Sequence, residues 1–118
     1  MITLSFVSSP YTFIGPYKAM NKRVEKERYL KVVEYVADKI NEGEVVFSPI
    51  VHCHVVADTY VLPTDWEYWG KYCRAMLERC QRMYVLMLEG WEESTGVQAE
   101  IEIANELKIE IIYVPWEK

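Results

Sequence analysis

The apolar positions of this chain follow two alternating rhythms. Residues 2–7 form a short run of strand length, broken by Ser8, Ser9, Pro10 and Tyr11, with a loop running on to about Tyr17. Residues 19–41 then place Tyr29, Val32, Val33, Val36 and Ile40 at helical spacing and stop at Gly43. Residues 45–47 read as a second strand, closed by Ser48 and Pro49. Residues 65–79 read as a second helix, with Thr64 or Asp65 as its N-cap. An unbroken apolar run at 83–88 predicts a third strand, a helix opens near Ser94 to Gly96, and a last strand covers 110–114. Residues 50–63 fit a short strand, a short helix or a lid over a site.

Strands joined by helices imply parallel pairing with right-handed crossovers. The expectation is one α/β domain over residues 1–118, a flavodoxin-like three-layer sandwich. Its parallel sheet should have four or five strands in the order 2-1-3-4.

The helix after the third strand carries the chemistry. On it, Glu100 shares a face with Ile103, Ala104 and Leu107, at i+3, i+4 and i+7, whereas Glu102 and Glu106 fall off that face. A carboxylate on an inward stripe is costly unless it works or is paired. It also stands one turn from a strand-to-helix junction, where open α/β sheets bind ligands. Burial raises its pKa and the nearby helix N-terminus lowers it. Ser94 and Gly96 open the helix, and unpaired amides there suit an anion as well as a capping turn. Ser9, Pro10 and Tyr11 leave the C-terminal end of the first strand, beside the switch point of a 2-1-3-4 sheet, where they serve as a phosphate or ribose loop or as a plain turn.

The bulk numbers narrow the partners. With 118 residues and a formal charge of −5, the chain exerts no global pull on nucleic-acid polymers or anionic membranes. No signal peptide or membrane-length apolar run is evident, and three cysteines without zinc spacing suggest reduced thiols, so a cytoplasmic protein is expected. His52 and His54, at i and i+2, face one way only on an extended segment, and further ligands are missing; His52 is read as lining the loop over the site. Neither a metal nor an organic cofactor is expected. Asp65, Trp66, Glu67, Tyr68 and Trp69 join acid to rings that either stack on a base or pack in a core or interface. Arg23 and Arg28 on the first helix offer a weak phosphate signal. The four Trp and nine Tyr point to a subunit interface, and hence to a homo-oligomer, most simply a dimer.

The pattern Gly90-Trp91-x-x-Ser94-x-Gly96-x-x-x-Glu100-x-x-x-Ala104, following the 83–88 strand, resembles the signature of the nucleoside 2-deoxyribosyltransferase-like superfamily, including small bacterial and phage members of unassigned function. Ser9-Pro10-Tyr11 and Val46-Phe47-Ser48-Pro49-Ile50 fit the same pattern, so the likeness spans nearly the whole chain. The resemblance implies that Glu100 attacks the anomeric carbon of a nucleoside or nucleotide, that the base leaves, and that water or a second base resolves the glycosyl-enzyme. It makes Trp91, Ser94 and Gly96 expected substrate contacts, Ser94 toward a 5′-phosphate, and it implies a dimer or larger assembly. Many members carry an aspartate just before the third strand and another further upstream; those places hold Gln81 and Cys73 here. Asp65 is the substitute acid in this reading.

The expected function is cleavage of the base–sugar bond of a nucleoside 5′-monophosphate or nucleoside, with Glu100 as nucleophile and Asp65 as acid. The alternatives are a nucleotide-binding protein without turnover, for which Gln81 and Cys73 speak, a deoxyribosyltransferase, and a partner-binding α/β domain.

Overall fold

Phe6 and Val7 are neighbours in the chain and both fully buried. Successive strand residues point to opposite faces, so both faces of this sheet must be covered. The computed structural model describes residues 2–13, 15–63 and 65–116 and shows how. In chain order the elements are β1 (Leu4–Ser8), α1 (Lys18–Asn41), β2 (Val45–Phe47), α2 (Pro49–Thr59), α3 (Trp66–Leu77), β3 (Arg82–Met87), a 3₁₀ turn (Trp91–Glu93), α4 (Thr95–Glu106) and β4 (Glu110–Pro115). The four strands form one parallel sheet in the order β2-β1-β3-β4.

Phe6 packs with Met83 and Val85 against Cys73 and Leu77 of α3 and Val97, Ile103 and Ala104 of α4. Val7 packs with Tyr84 and Leu86 against Val32 and Val36 of α1. The result is the expected three-layer α/β architecture, with α1 on one face and α3 and α4 on the other. β3 needs the continuous apolar run of its sequence because Met83, Tyr84, Val85 and Leu86 are all buried.

Local chemistry sets the helix ends. α1 closes through Gly43 at φ +91°, a left-handed position, with the Gly43 and Glu44 amides donating to the Ile40 and Lys39 carbonyls. α4 opens at Ser94, whose Oγ accepts from the Val97 amide at 3.2 Å. α3 begins at Trp66 after Asp65, which occupies the N-cap position without a side-chain capping bond; Thr64, the other cap candidate, lies outside the described residues.

The undecided segment 50–63 contains a helix, α2. Ser48 and Pro49 end β2, and they also start α2. The Ser48 Oγ accepts from the Val51 amide at 3.1 Å, and Pro49 sits in the first turn, where its missing N–H costs nothing. α2 packs against α1. No helix among the described residues is long and apolar enough to cross a membrane.

Candidate active site

The connections from β1 and β3 leave the sheet toward opposite faces, which opens a crevice at the C-terminal ends of these two strands. A cavity of about 1480 Å³ occupies that place, lined by the loop after β1, by α2, α3 and the start of α4. It exceeds the ~300–1000 Å³ of ordinary small-molecule pockets, so a nucleotide-sized ligand has ample room.

Glu100 reaches this cavity from the inward stripe of α4, alongside the buried Ile103 and Ala104, and is only 5% exposed. Glu102 and Glu106 are exposed, as their phase on the helix predicts. The Ser8 hydroxyl, at the last residue of β1, donates to Glu100 Oε1 at 2.6 Å, and the Cys73 thiol of α3 donates as well. Desolvation dominates these two donors, which act against it, and the carboxyl is pushed up to about 7. The same burial, with Glu100 beside it, pushes the Cys73 thiol well above the ordinary thiol range, so Cys73 is a neutral donor. No salt bridge involves Glu100 among the described residues. Glu100 is therefore a dry, oriented carboxylate held by two neutral donors beside open space.

Ser9 follows Ser8 into the cavity. Its Oγ is buried and has no hydrogen-bond partner, alone in this among the side-chain polar atoms of the described residues. Such a group costs about 1–3 kcal/mol and calls for a ligand or water to satisfy it. Ser94 and Gly96 border the same space. A methyl added at Gly96 would meet only Trp66 Cε3 at 3.8 Å and Ser94 Oγ at 4.0 Å, both ordinary contacts, so the first turn of α4 presents bare backbone to the cavity.

One cation organises the rim. Arg28 of α1 donates through Nη1 to the carbonyls of Thr12 at 2.9 Å and Tyr11 at 3.3 Å, and through Nη2 to the carbonyl of Glu89 at 3.0 Å. It thereby ties the loop after β1 to the loop after β3. Gly90 turns at φ +90°, and a Cβ there would fall 2.5 Å from Arg28 Nη2, so the clamp requires glycine. Arg28 was a weak phosphate candidate in sequence; its guanidinium is spent largely on loop carbonyls.

Several expected contacts lie elsewhere. His52 is on a helix rather than an extended segment, so it and His54 point apart. Its Nδ1 sits 2.8 Å from the Ser48 carbonyl and its ring stacks on Phe47 at 4.8 Å, away from the cavity lining. His54 lines the cavity instead. Pro10 is fully buried and shapes the turn behind Ser9. Trp91 packs on Tyr113, with ring centroids 5.9 Å apart, and against the α3–α4 core. Tyr11, Ser94, Gly96 and Asp65 do line the cavity; Asp65 is exposed, and its side chain makes no capping bond.

Of the two positions where the resemblance leads one to expect aspartate, one is at the site. Cys73 touches Glu100. Gln81 lies at the opposite end of the sheet, where its Oε1 accepts from the Leu4 amide at 2.7 Å and its backbone N–H donates to the Leu4 carbonyl at 2.9 Å. Leu4 begins β1 and Ser8 ends it, so Gln81 has no route to Glu100.

No curated protein matches this sequence. A family model described as a domain of unknown function (DUF1937) matches residues 3–114. That span runs from β1 to β4 and takes in every residue that lines the cavity. The chain thus belongs to the DUF1937 family, a domain of unknown function.

Proposed function

We propose that the protein cleaves the N-glycosidic bond of a nucleoside 5′-monophosphate, or of the nucleoside itself, with Glu100 as nucleophile. The observation that carries this reading is the Glu100 carboxylate: buried, oriented by Ser8 and Cys73, uncompensated by any cation among the described residues, and facing a nucleotide-sized cleft at the switch point of the sheet. A buried, unneutralised carboxylate is destabilising, and it suits a reaction whose transition state is a sugar cation. Glu100 bonds to the anomeric carbon as the base departs, and water hydrolyses the glycosyl ester in a second step. Transfer to a second base would use the same intermediate. The bare first turn of α4, with Ser94 and Gly96, and the unpaired Ser9 hydroxyl supply donors suited to a phosphate or to sugar hydroxyls. Trp66, beside Gly96, offers a ring for stacking.

A homodimer goes with this reading. Val55, Val56, Tyr60 and Val61 of α2 and the turn after it are exposed apolar residues, as is Leu30 of the adjoining α1. This strip is a candidate for the interface that the aromatic surplus suggests.

Binding without turnover is the second reading. Its support is that no second carboxylate contacts Glu100 among the described residues: Cys73 takes that place, and Asp65 is exposed on the rim. The deciding experiment incubates the protein with the common ribonucleoside and 2′-deoxyribonucleoside 5′-monophosphates and measures free base by chromatography. Base release that Glu100→Gln abolishes supports the glycosidase. A nucleotide-induced rise in melting temperature without base release favours the binding protein, and no response to any nucleotide removes both.

A further inference from the structure

A departing base needs a proton, and Asp65 is poorly placed to give one. Its side chain is exposed and makes no capping bond, and no described residue is shown bonded to it, whereas a general acid must be held within hydrogen-bond reach of its target. The opposite wall of the cleft carries a group that is held.

The face of α2 turned to the cleft is Pro49, Ile50, Cys53, His54 and Ala57, a single helical stripe. Within it, the His54 ring is fixed three ways. Its Nδ1 lies 2.8 Å from the Tyr11 hydroxyl. Tyr29 of α1 stacks on it, with centroids 4.0 Å apart and planes 23° apart. Tyr11 meets its edge at 5.6 Å and 76°. The other ring nitrogen, Nε2, makes no hydrogen bond to a described residue and is not sealed off from solvent. An oriented imidazole with one nitrogen anchored and the other open, in the same cavity as a buried carboxylate, is the arrangement of a proton donor.

We infer that His54 is the acid that protonates the departing base, with Tyr11 as its positioning residue. The inference rests on the glycosidase reading above. As Glu100 bonds to the anomeric carbon, the carbon–nitrogen bond breaks and its electron pair goes to the base. The imidazolium Nε2–H passes its proton to a ring nitrogen of that base, which leaves neutral. His54 is left as neutral imidazole, still donating from Nδ1–H to the Tyr11 oxygen. Water then attacks the glycosyl ester; its proton goes to Nε2, the imidazolium is restored, and Glu100 departs as carboxylate. Tyr11 suits the anchoring role because it stays a phenol: burial first, then the charges of Glu25 and Asp58 and the neighbouring Tyr29, push its hydroxyl up to about 12. The two carboxylates are also the acidic groups facing this pair from α1 and α2.

The test compares two leaving groups on the wild type, His54→Gln and Tyr11→Phe. One substrate is a purine nucleoside 5′-monophosphate that the wild type cleaves, whose base leaves only with a proton. The other is 4-nitrophenyl β-ribofuranoside 5-phosphate, whose phenolate leaves without one. His54→Gln should lose ~10²-fold or more in kcat on the purine nucleotide, and the loss on the nitrophenyl substrate should be at least ~30-fold smaller. Tyr11→Phe, which keeps its ring, should show the same asymmetry at about tenfold, and it carries the test if His54→Gln fails to fold. Equal losses on both substrates, or none on either, would overturn the inference. Wild type that releases nitrophenolate but no base overturns it too, and leaves the Glu100 reading standing. Release of neither product ends both.

Discussion

Ser8 and Glu100 are 92 residues apart in sequence and 2.6 Å apart in the fold, hydroxyl to carboxylate. The contact joins the last residue of β1 to the second turn of α4 across the switch point of the sheet. The serine's donation to the carboxylate opposes the desolvation that raises its pKa. Ser8→Ala should therefore move the acidic limb of the kcat/KM–pH profile upward from about 7. At neutral pH it should cost about tenfold in rate, the worth of one hydrogen bond to a charged group. A profile recorded between about pH 5 and pH 9 checks this; an unmoved limb would show that Ser8 does not tune Glu100.

Glu100→Gln should trade activity for stability. On the glycosidase reading the amide removes the charge that would stabilise the sugar cation, so turnover should fall at least ~10²-fold while nucleotide binding persists. The folded carboxyl sits at about 7, above the ~4.3 of an unfolded glutamate. Folding thus binds a proton, and the contribution of this group is fully present below the unfolded value and lost as pH rises through the folded one. That loss is roughly 4 kcal/mol. The variant has no such loss, so its melting temperature should exceed the wild type's by several degrees at about pH 8, and the advantage should vanish near pH 4. Calorimetry at the two pH values decides.

Cys73 and Gln81 should behave differently although both stand where aspartates were expected. Cys73→Ser keeps a small neutral donor beside Glu100 and should retain most activity. Cys73→Asp places a second acid against a buried carboxylate, which raises the pKa of the pair and should push the pH optimum upward. Gln81→Asp, at the far end of the sheet, should leave kcat within about twofold and cost at most ~1 kcal/mol of stability. Parallel rate and melting measurements separate the three.

Gly90→Ala should disturb the site from outside it. The added methyl would lie 2.5 Å from Arg28 Nη2 on a residue at φ +90°. The strain should cost about 1–3 kcal/mol and loosen the tie between the loops after β1 and β3. A lower melting temperature with a raised KM is expected; Arg28→Lys, which cannot span the same carbonyls, should raise KM similarly.

Ser94→Ala removes the cap of α4 at a cost of about 1 kcal/mol. If the first turn of α4 receives a phosphate, KM should rise several-fold more for a nucleoside 5′-monophosphate than for the matching nucleoside. Equal increases for both would place the phosphate elsewhere.

Periodicity alone placed Glu100 correctly, because a buried stripe at i, i+3 and i+4 is a local property of one helix. The same logic yielded the strand order, since parallel strands with helical crossovers leave few topologies, and the ends of α1 and α4, where Gly43 and Ser94 act on their own neighbours. α2 escaped because its hydrophobicity has no pronounced phase, and because Ser48-Pro49 ends a strand as readily as it starts a helix. That one ambiguity sent attention to His52, when the helix brings His54 to the cleft; the Ser-Pro cap was the signal available.

Each segment's tendency and the face it buries are local matters, set by residues within a few positions of one another. Which groups meet across the fold is a matter of packing. The Ser8 and Cys73 donors on Glu100, the Tyr11–His54 pair, the Arg28 clamp under Gly90 and the remoteness of Gln81 all join or separate elements distant in the chain. Such contacts are fixed by how layers pack on a twisted sheet, and a one-dimensional pattern of apolar and polar residues carries no distance between them.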